Sequence, residues 1–96
     1  MENRKIKKEL PFEENFLNGF YERTFSKDLS ENELKWHWDE EDRYVICENN
    51  TDWKFQFDNQ LPIEIKRNEP IFIKKGEYHR IIKGNNDLKL KIKKIK

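Results

Sequence analysis

From residue 33 onward the chain is cut into seven short segments, and this rhythm constrains the fold more than any other feature. The segments are ELKWHWD, RYVICEN, DWKFQFD, LPIEIKR, PIFIKK, YHRIIKG and DLKLKIKKI. Breaks rich in Asn, Asp, Gly and Pro separate most of them: ENNTD, DNQLP, RNEP, KKGE and GNND. Strand-length runs at such spacing predict an all-β sandwich or barrel. Two of the runs alternate cleanly. Leu88, Leu90 and Ile92 oppose Lys89, Lys91 and Lys93, and Trp53, Phe55 and Phe57 oppose Lys54, Gln56 and Asp58. Because successive strand side chains point to opposite faces, each run has one apolar and one polar face.

Composition agrees with strands. The chain has no alanine, the best helix former, while Ile and the aromatics are plentiful. Only 34% of its residues are hydrophobic, but 14% are aromatic, and large rings bury much area from few positions. A net charge of +1 gives no self-repulsion to hold the chain open. The expectation is one domain over residues 1–96 with a thin, aromatic-rich core. Residues 1–32 would supply N-terminal strands and a short helix, 33–84 the motif-bearing region, and 85–96 a C-terminal strand. The helix is expected near 11–18, where Pro11 suits a helix start and Gly19 a stop. A short edge strand is expected around Ile6.

Charge and cysteine content narrow the setting. Cys47 is alone, so no internal disulfide forms and a cytoplasmic location is expected. No signal peptide or long apolar run appears, so no membrane role is expected. The terminal KLKIKKIK run is taken as the solvated face of a half-buried strand, not a nucleic-acid stripe, since acidic residues elsewhere cancel its field.

The stretch Glu33–Gly84 resembles a small single-domain cupin. That family has a His-x-His strand leading to Glu and then Gly, followed later by a Gly…Pro-x-Gly-x-x-His block. Here His37 stands at the first ligand position and Asp39 at that of the second His. Arg43 occupies the Glu position and Asn50 the following Gly. In the second block Asn68 replaces the first Gly and Lys74 the Pro, while Gly76 and His79 match. Asn tolerates φ > 0 better than most residues, so Asn50 and Asn68 can still turn the chain. The resemblance implies a jelly-roll β-sandwich, with at most one short N-terminal helix, whose interior holds a ligand or metal site.

Within WHWD, alternation sends His37 and Asp39 to one face and Trp36 and Trp38 to the other. The resemblance places His79 beside the first pair. Two imidazoles and one carboxylate make a facial triad suited to Fe(II), with Zn²⁺ second. The alternative reading makes Asp39 the partner of Arg43 across the turn, and His79 a core histidine bonded to a carbonyl. Arg43 is the candidate to orient an anionic ligand in bidentate fashion. Tyr44 and Gln56 are further ligand-contact candidates, Gln56 only if its face of the Trp53–Asp58 run points inward. Arg80 is expected on the rim.

These residues suggest a metal-binding protein, with an Fe(II)-dependent dioxygenase acting on a small polar or anionic molecule as its sharpest form. A metal-free isomerase or epimerase with a histidine base is a second reading. A non-catalytic binding or structural module is a third. Aromatics on both faces of one strand also predict a homodimer, because one face of a small sheet cannot hide them all.

Overall fold

The computed structural model describes residues 11–95, so the strand expected around Ile6 lies outside the described residues. Among the described residues, eight antiparallel strands form two sheets. They are β1 Glu13–Leu17, β2 Phe20–Phe25, β3 Asp42–Cys47, β4 Lys54–Phe57, β5 Ile63–Glu64, β6 Ile71–Ile73, β7 His79–Ile82 and β8 Leu88–Ile95. The larger sheet runs β1-β2-β8-β3-β6 and the smaller one β5-β4-β7. The architecture is the β-sandwich that the strand rhythm predicts, of the jelly-roll kind that the resemblance implies.

The 11–18 segment departs from expectation. It enters a strand hairpin, and the only helical turn among the described residues is a 3₁₀ turn, Glu31–Glu33. Leu17 pairs with Phe20 across a two-residue loop, in which Asn18 and Gly19 have φ of 54° and 85°. Positive φ at both central residues defines a type I′ turn, for which Asn-Gly is the strongest short signal. Gly after an apolar run also stops helices, so one residue type serves both outcomes. An isolated eight-residue helix would be marginal, whereas the hairpin extends a sheet that β8 has already begun.

Register sorts the side chains. Along β8, Leu88, Leu90 and Ile92 are buried. They sit opposite Phe25, Arg23 and Tyr21 of β2, and Leu90 and Ile92 also face Cys47 and Val45 of β3. The intervening lysines face outward, as the alternation requires. On β4 the ambiguity resolves towards inward aromatics: Trp53 just before the strand is fully buried, and Phe55 nearly so. Trp53 can be buried because its indole N–H donates to the Asn86 carbonyl. The core therefore lies between the sheets, centred on Phe25, Val45, Trp53, Phe55, Ile73 and Leu90.

Two loops have specific backbone demands. Gly84 lets the chain pass so close to its neighbours that an added Cβ would lie 2.7 Å from the Trp53 amide nitrogen. Asn68 adopts φ of 66° and donates its amide to the Cys47 carbonyl at 2.9 Å. It thus does the work of the glycine it replaces. Asn50 does not: it is absent from the positive-φ positions, which are Asn18, Asn59 and Asn68 among non-glycines.

Candidate metal centre

ELKWHWD, expected as a full strand, pairs its backbone with the smaller sheet at a single bridge. His37 and His79 form an isolated antiparallel bridge, exchanging N–H···O=C bonds of 3.0 and 2.9 Å. Opposite residues in such a pair project to the same face. The two rings consequently meet edge-on with centroids 4.3 Å apart. Asp39, two residues beyond His37, falls on that face too. The Gly76 amide donates to the Asp39 carbonyl at 2.9 Å, so the turn carrying His79 also holds Asp39 in place. Gly76 has φ of 80°, a conformation open mainly to glycine.

The three side chains converge. One ligand atom from each of His37, Asp39 and His79 lies within 4.8 Å of the others. His79 Nε2 is 3.3 Å from Asp39 Oδ2, and His37 Nε2 is 3.9 Å from Asp39 Oδ1. Asp39 and His79 are buried, whereas the His37 side chain is 53% exposed and leaves the group reachable from solvent.

The hydrogen bonds behind the rings decide their chemistry. Nδ1 of His37 lies 3.0 Å from the Lys35 carbonyl, and Nδ1 of His79 lies 2.7 Å from the Glu77 carbonyl. A carbonyl only accepts, so each Nδ1 carries a hydrogen and donates it. In a neutral ring that leaves an Nε2 lone pair, and here both lone pairs point towards one carboxylate. Backbone carbonyls that fix the tautomer in this way are the usual support of metal-binding histidines. Asp39 Oδ2 shows the consequence: it is buried with no hydrogen-bond partner. His79 Nε2 lies 3.3 Å away, and a ring anchored through Nδ1 can donate to it only when it carries a second proton. A buried carboxylate oxygen facing two ring nitrogens is satisfied either by a proton on His79 Nε2 or by a bound cation.

The protonation states suit a ligand set. Burial lowers the His37 ring below the ordinary imidazole value; the bond to Lys35 opposes this, and His79 and Arg43 add to it. For Asp39, burial works to raise the carboxyl, but the His79 ring and Arg43 guanidinium outweigh it and hold it below the usual range. Neutral imidazole and ionised carboxylate are the forms that bind metal.

Arg43 lies beside the triad. Its Nη1 lies 3.3 Å from Asp39 Oδ1, and its Nε donates to Glu41 at 2.7 Å. The expected Asp39–Arg43 pair is therefore present beside the triad. Tyr44 and Gln56, expected as ligand contacts, are elsewhere. Tyr44 alternates with Arg43 and Val45 and points away from the interior, packing on Phe72 at 5.0 Å between ring centroids. Gln56 opposes Arg80 on the outer face of β4–β7 and accepts its Nε–H at 2.9 Å. The inward turn of Trp53, Phe55 and Phe57 sends Gln56 out. Arg80 also lies over the Trp36 ring, 4.7 Å from its centroid, so it is an outer-face residue within β7 and not the rim residue expected.

Between the sheets the triad opens into a cavity of about 370 Å³. Arg43 lines it, as do apolar side chains of both sheets, among them Val45, Phe55, Ile73, Ile81 and Ile92. Sequence reasoning named none of these as ligand contacts. The signal was present, since every inward β3 and β8 position is a candidate, but a core residue and a cavity wall look alike in sequence. Phe55 shows the overlap: it is core, yet its ring also stacks on His79 with an interplanar angle of 16°.

Two antiparallel sheets packed face to face with a His/Asp/His group between them belong to the jelly-roll class that carries interior ligand sites. Comparison with solved structures makes the class specific, and the chain has the cupin fold. A cupin-2 domain-containing protein from Shewanella frigidimarina superposes with a TM-score of 0.60 at 21% identity, covering 83% of this chain and 76% of its own. A protein from Neisseria meningitidis gives 0.61 at 17% identity, with 94% and 88% covered. Fe(II) HppE gives 0.61 at 12% identity; the match spans 79% of this chain but only 41% of HppE. No family model and no curated protein matches the sequence.

Proposed function

We propose that the protein is a small metal-dependent cupin, in which His37, Asp39 and His79 hold a divalent ion and Arg43 orients an anionic ligand beside it. Fe(II) is the favoured ion and Zn²⁺ the second. The carrying observation is the pair of backbone-anchored imidazoles whose Nε2 lone pairs face an orphaned, buried carboxylate oxygen. Two histidines and one carboxylate are the ligand types of non-haem Fe(II) centres, and Fe(II) HppE shares the fold. A bound Fe(II) would supply open positions for oxygen and substrate, which makes an oxygen-dependent reaction on a small molecule the sharpest reading.

The chain's own residues do the rest. Lys35 and Glu77 carbonyls fix both tautomers, Phe55 braces the His79 ring, and Glu41 aims the Arg43 guanidinium. A ligand filling the cavity would displace water from around the group, which strengthens each polar contact inside. With the exposed Trp36, Trp38, Tyr44 and Phe72, the same reading takes the protein as a cytoplasmic homodimer.

One observation favours a second reading. Arg43 already neutralises Asp39 from the other side, so a proton shared with His79 would complete a metal-free acid–base site of the isomerase kind. Anaerobic titration of metal-free protein with Fe(II) and with Zn²⁺ separates the two. Binding of one equivalent, lost in both His37→Ala and His79→Ala, supports the metal reading. Equal binding by all three proteins places the ion elsewhere, and no binding by any transfers the case to the metal-free site.

A further inference from the structure

The register of the sheets arranges the cavity in layers. Arg43 opposes Ile73 across β3–β6, Val45 opposes Ile71 and Ile92, and Cys47 opposes Leu90. At about 3.3 Å per residue, Val45 lies ~7 Å and Cys47 ~13 Å along β3 from Arg43. On the facing sheet His79 opposes Phe57, and Ile81 opposes Phe55 one step further in. The charged cluster thus occupies one layer, and the layers beyond it are walled by Val45, Cys47, Ile65, Ile81, Leu90 and Ile92. Of the other charged lining residues, Arg23 opposes Leu90 and so shares the Cys47 layer with the apolar wall. Glu33 and Lys35 are exposed; Arg23 is paired with Glu14 and lies over the Phe12 ring, 4.2 Å from its centroid.

A small, wholly polar substrate would leave this apolar wall facing water. We infer that the ligand is an amphipathic monoanion: a carboxylate head at the metal and Arg43, and an unbranched apolar tail against Val45, Cys47, Ile81 and Leu90. This rests on the metal reading of the triad. Charge supports the head group. Asp39, Glu41 and Arg43 with two neutral histidines carry one net negative charge, which a divalent ion inverts to one positive. Arg43 has five N–H donors, two of them engaged with Asp39 and Glu41, so donors remain for an incoming carboxylate. Volume sets the length. At ~30 Å³ for each water-sized group, the cavity holds about a dozen non-hydrogen atoms, which suits a saturated acid of roughly eight to ten carbons.

The experiment measures binding of butanoate, hexanoate, octanoate, decanoate and dodecanoate by calorimetry, below their micellar concentrations, to Zn²⁺-treated and metal-free protein. Affinity should rise about threefold to fourfold per added methylene as far as octanoate and then level or fall. Zn²⁺ should tighten every member of the series by at least tenfold. Val45→Phe, which thickens the second layer, should move the optimum to a shorter acid. Hexanoate binding no better than butanoate overturns the apolar tail, as does a rise continuing undiminished through dodecanoate. Equal affinities with and without a bound Zn²⁺ overturn the placement of the head. If Zn²⁺ itself does not bind, the metal reading and the head placement fail together, while the chain-length series still decides the tail.

Discussion

Replacing Arg43 by Met should weaken the metal-free protein and tighten its hold on metal. Arg43 is mostly buried, with 12% of its side chain exposed, and reaches an equally enclosed Asp39 at 3.3 Å. Removing the cation leaves the Asp39 carboxylate facing only imidazoles. Breaking a buried pair from one side costs about 3–5 kcal/mol, reduced here because Met fills much of the same volume and Glu41 is freed to hydrate. A loss of about 2 kcal/mol is expected, read as a lower urea midpoint at unchanged slope. The ion responds with the opposite sign. At an effective dielectric constant near 20, the repulsion between a divalent ion held by Asp39 and the neighbouring guanidinium would be on the order of 5 kcal/mol. Glu41, 2.7 Å from Arg43 Nε, screens most of it. The net gain should be about 1–3 kcal/mol, or roughly fivefold to 150-fold in Zn²⁺ affinity. Competition with a chromogenic chelator at pH 7 and low salt measures this. Affinity that stays level or drops in Arg43→Met would refute the assignment of the ion to Asp39, because no ion beside that carboxylate escapes the field of Arg43.

Gly84→Ala should destabilise the fold by about 1–3 kcal/mol, because the new methyl would meet the Trp53 backbone and the Asp52 carboxylate; a thermal melt matching wild type would contradict the close approach. Asp52 accepts the Asn85 amide at 2.8 Å and its side-chain N–H at 2.6 Å, and these bonds, the backbone one first, lower its carboxyl below the ordinary value. A group depressed on folding stabilises above its unfolded pKa and loses that effect as pH falls through the folded one. The stability difference between wild type and Asp52→Ala should therefore be full at pH 7 and shrink below about pH 4; a gap of constant size across that range would contradict it. Sedimentation at high micromolar concentration should give a dimer that Trp38→Glu dissociates, and a wild-type monomer would remove the second subunit from the account.

Much of the fold is legible in the sequence because strand alternation is local. The lysines and leucines of β8 declare their faces without reference to any other strand, and His37 and Asp39 share a face by counting alone. The Asn-Gly of the first hairpin was equally legible, yet its neighbours Pro11 and Phe16 also satisfy a helix, and only pairing with β8 chooses between them. The period of two cannot say which face of β4 is inside. That was settled by burial of Trp53 and Phe55 against the other sheet, which turned Gln56 outward to Arg80; the same parity turned Tyr44 away from the cavity beside Arg43. The sequence by itself determined the residue types of the candidate site and the adjacency of two of them. Only the tertiary structure decided that His79 pairs with His37 across 42 positions, that both rings are anchored by carbonyls, and that one Asp39 oxygen is left without a partner. Long-range pairing sets these features, and its energy comes from burial summed over both sheets, which no single stretch of sequence contains.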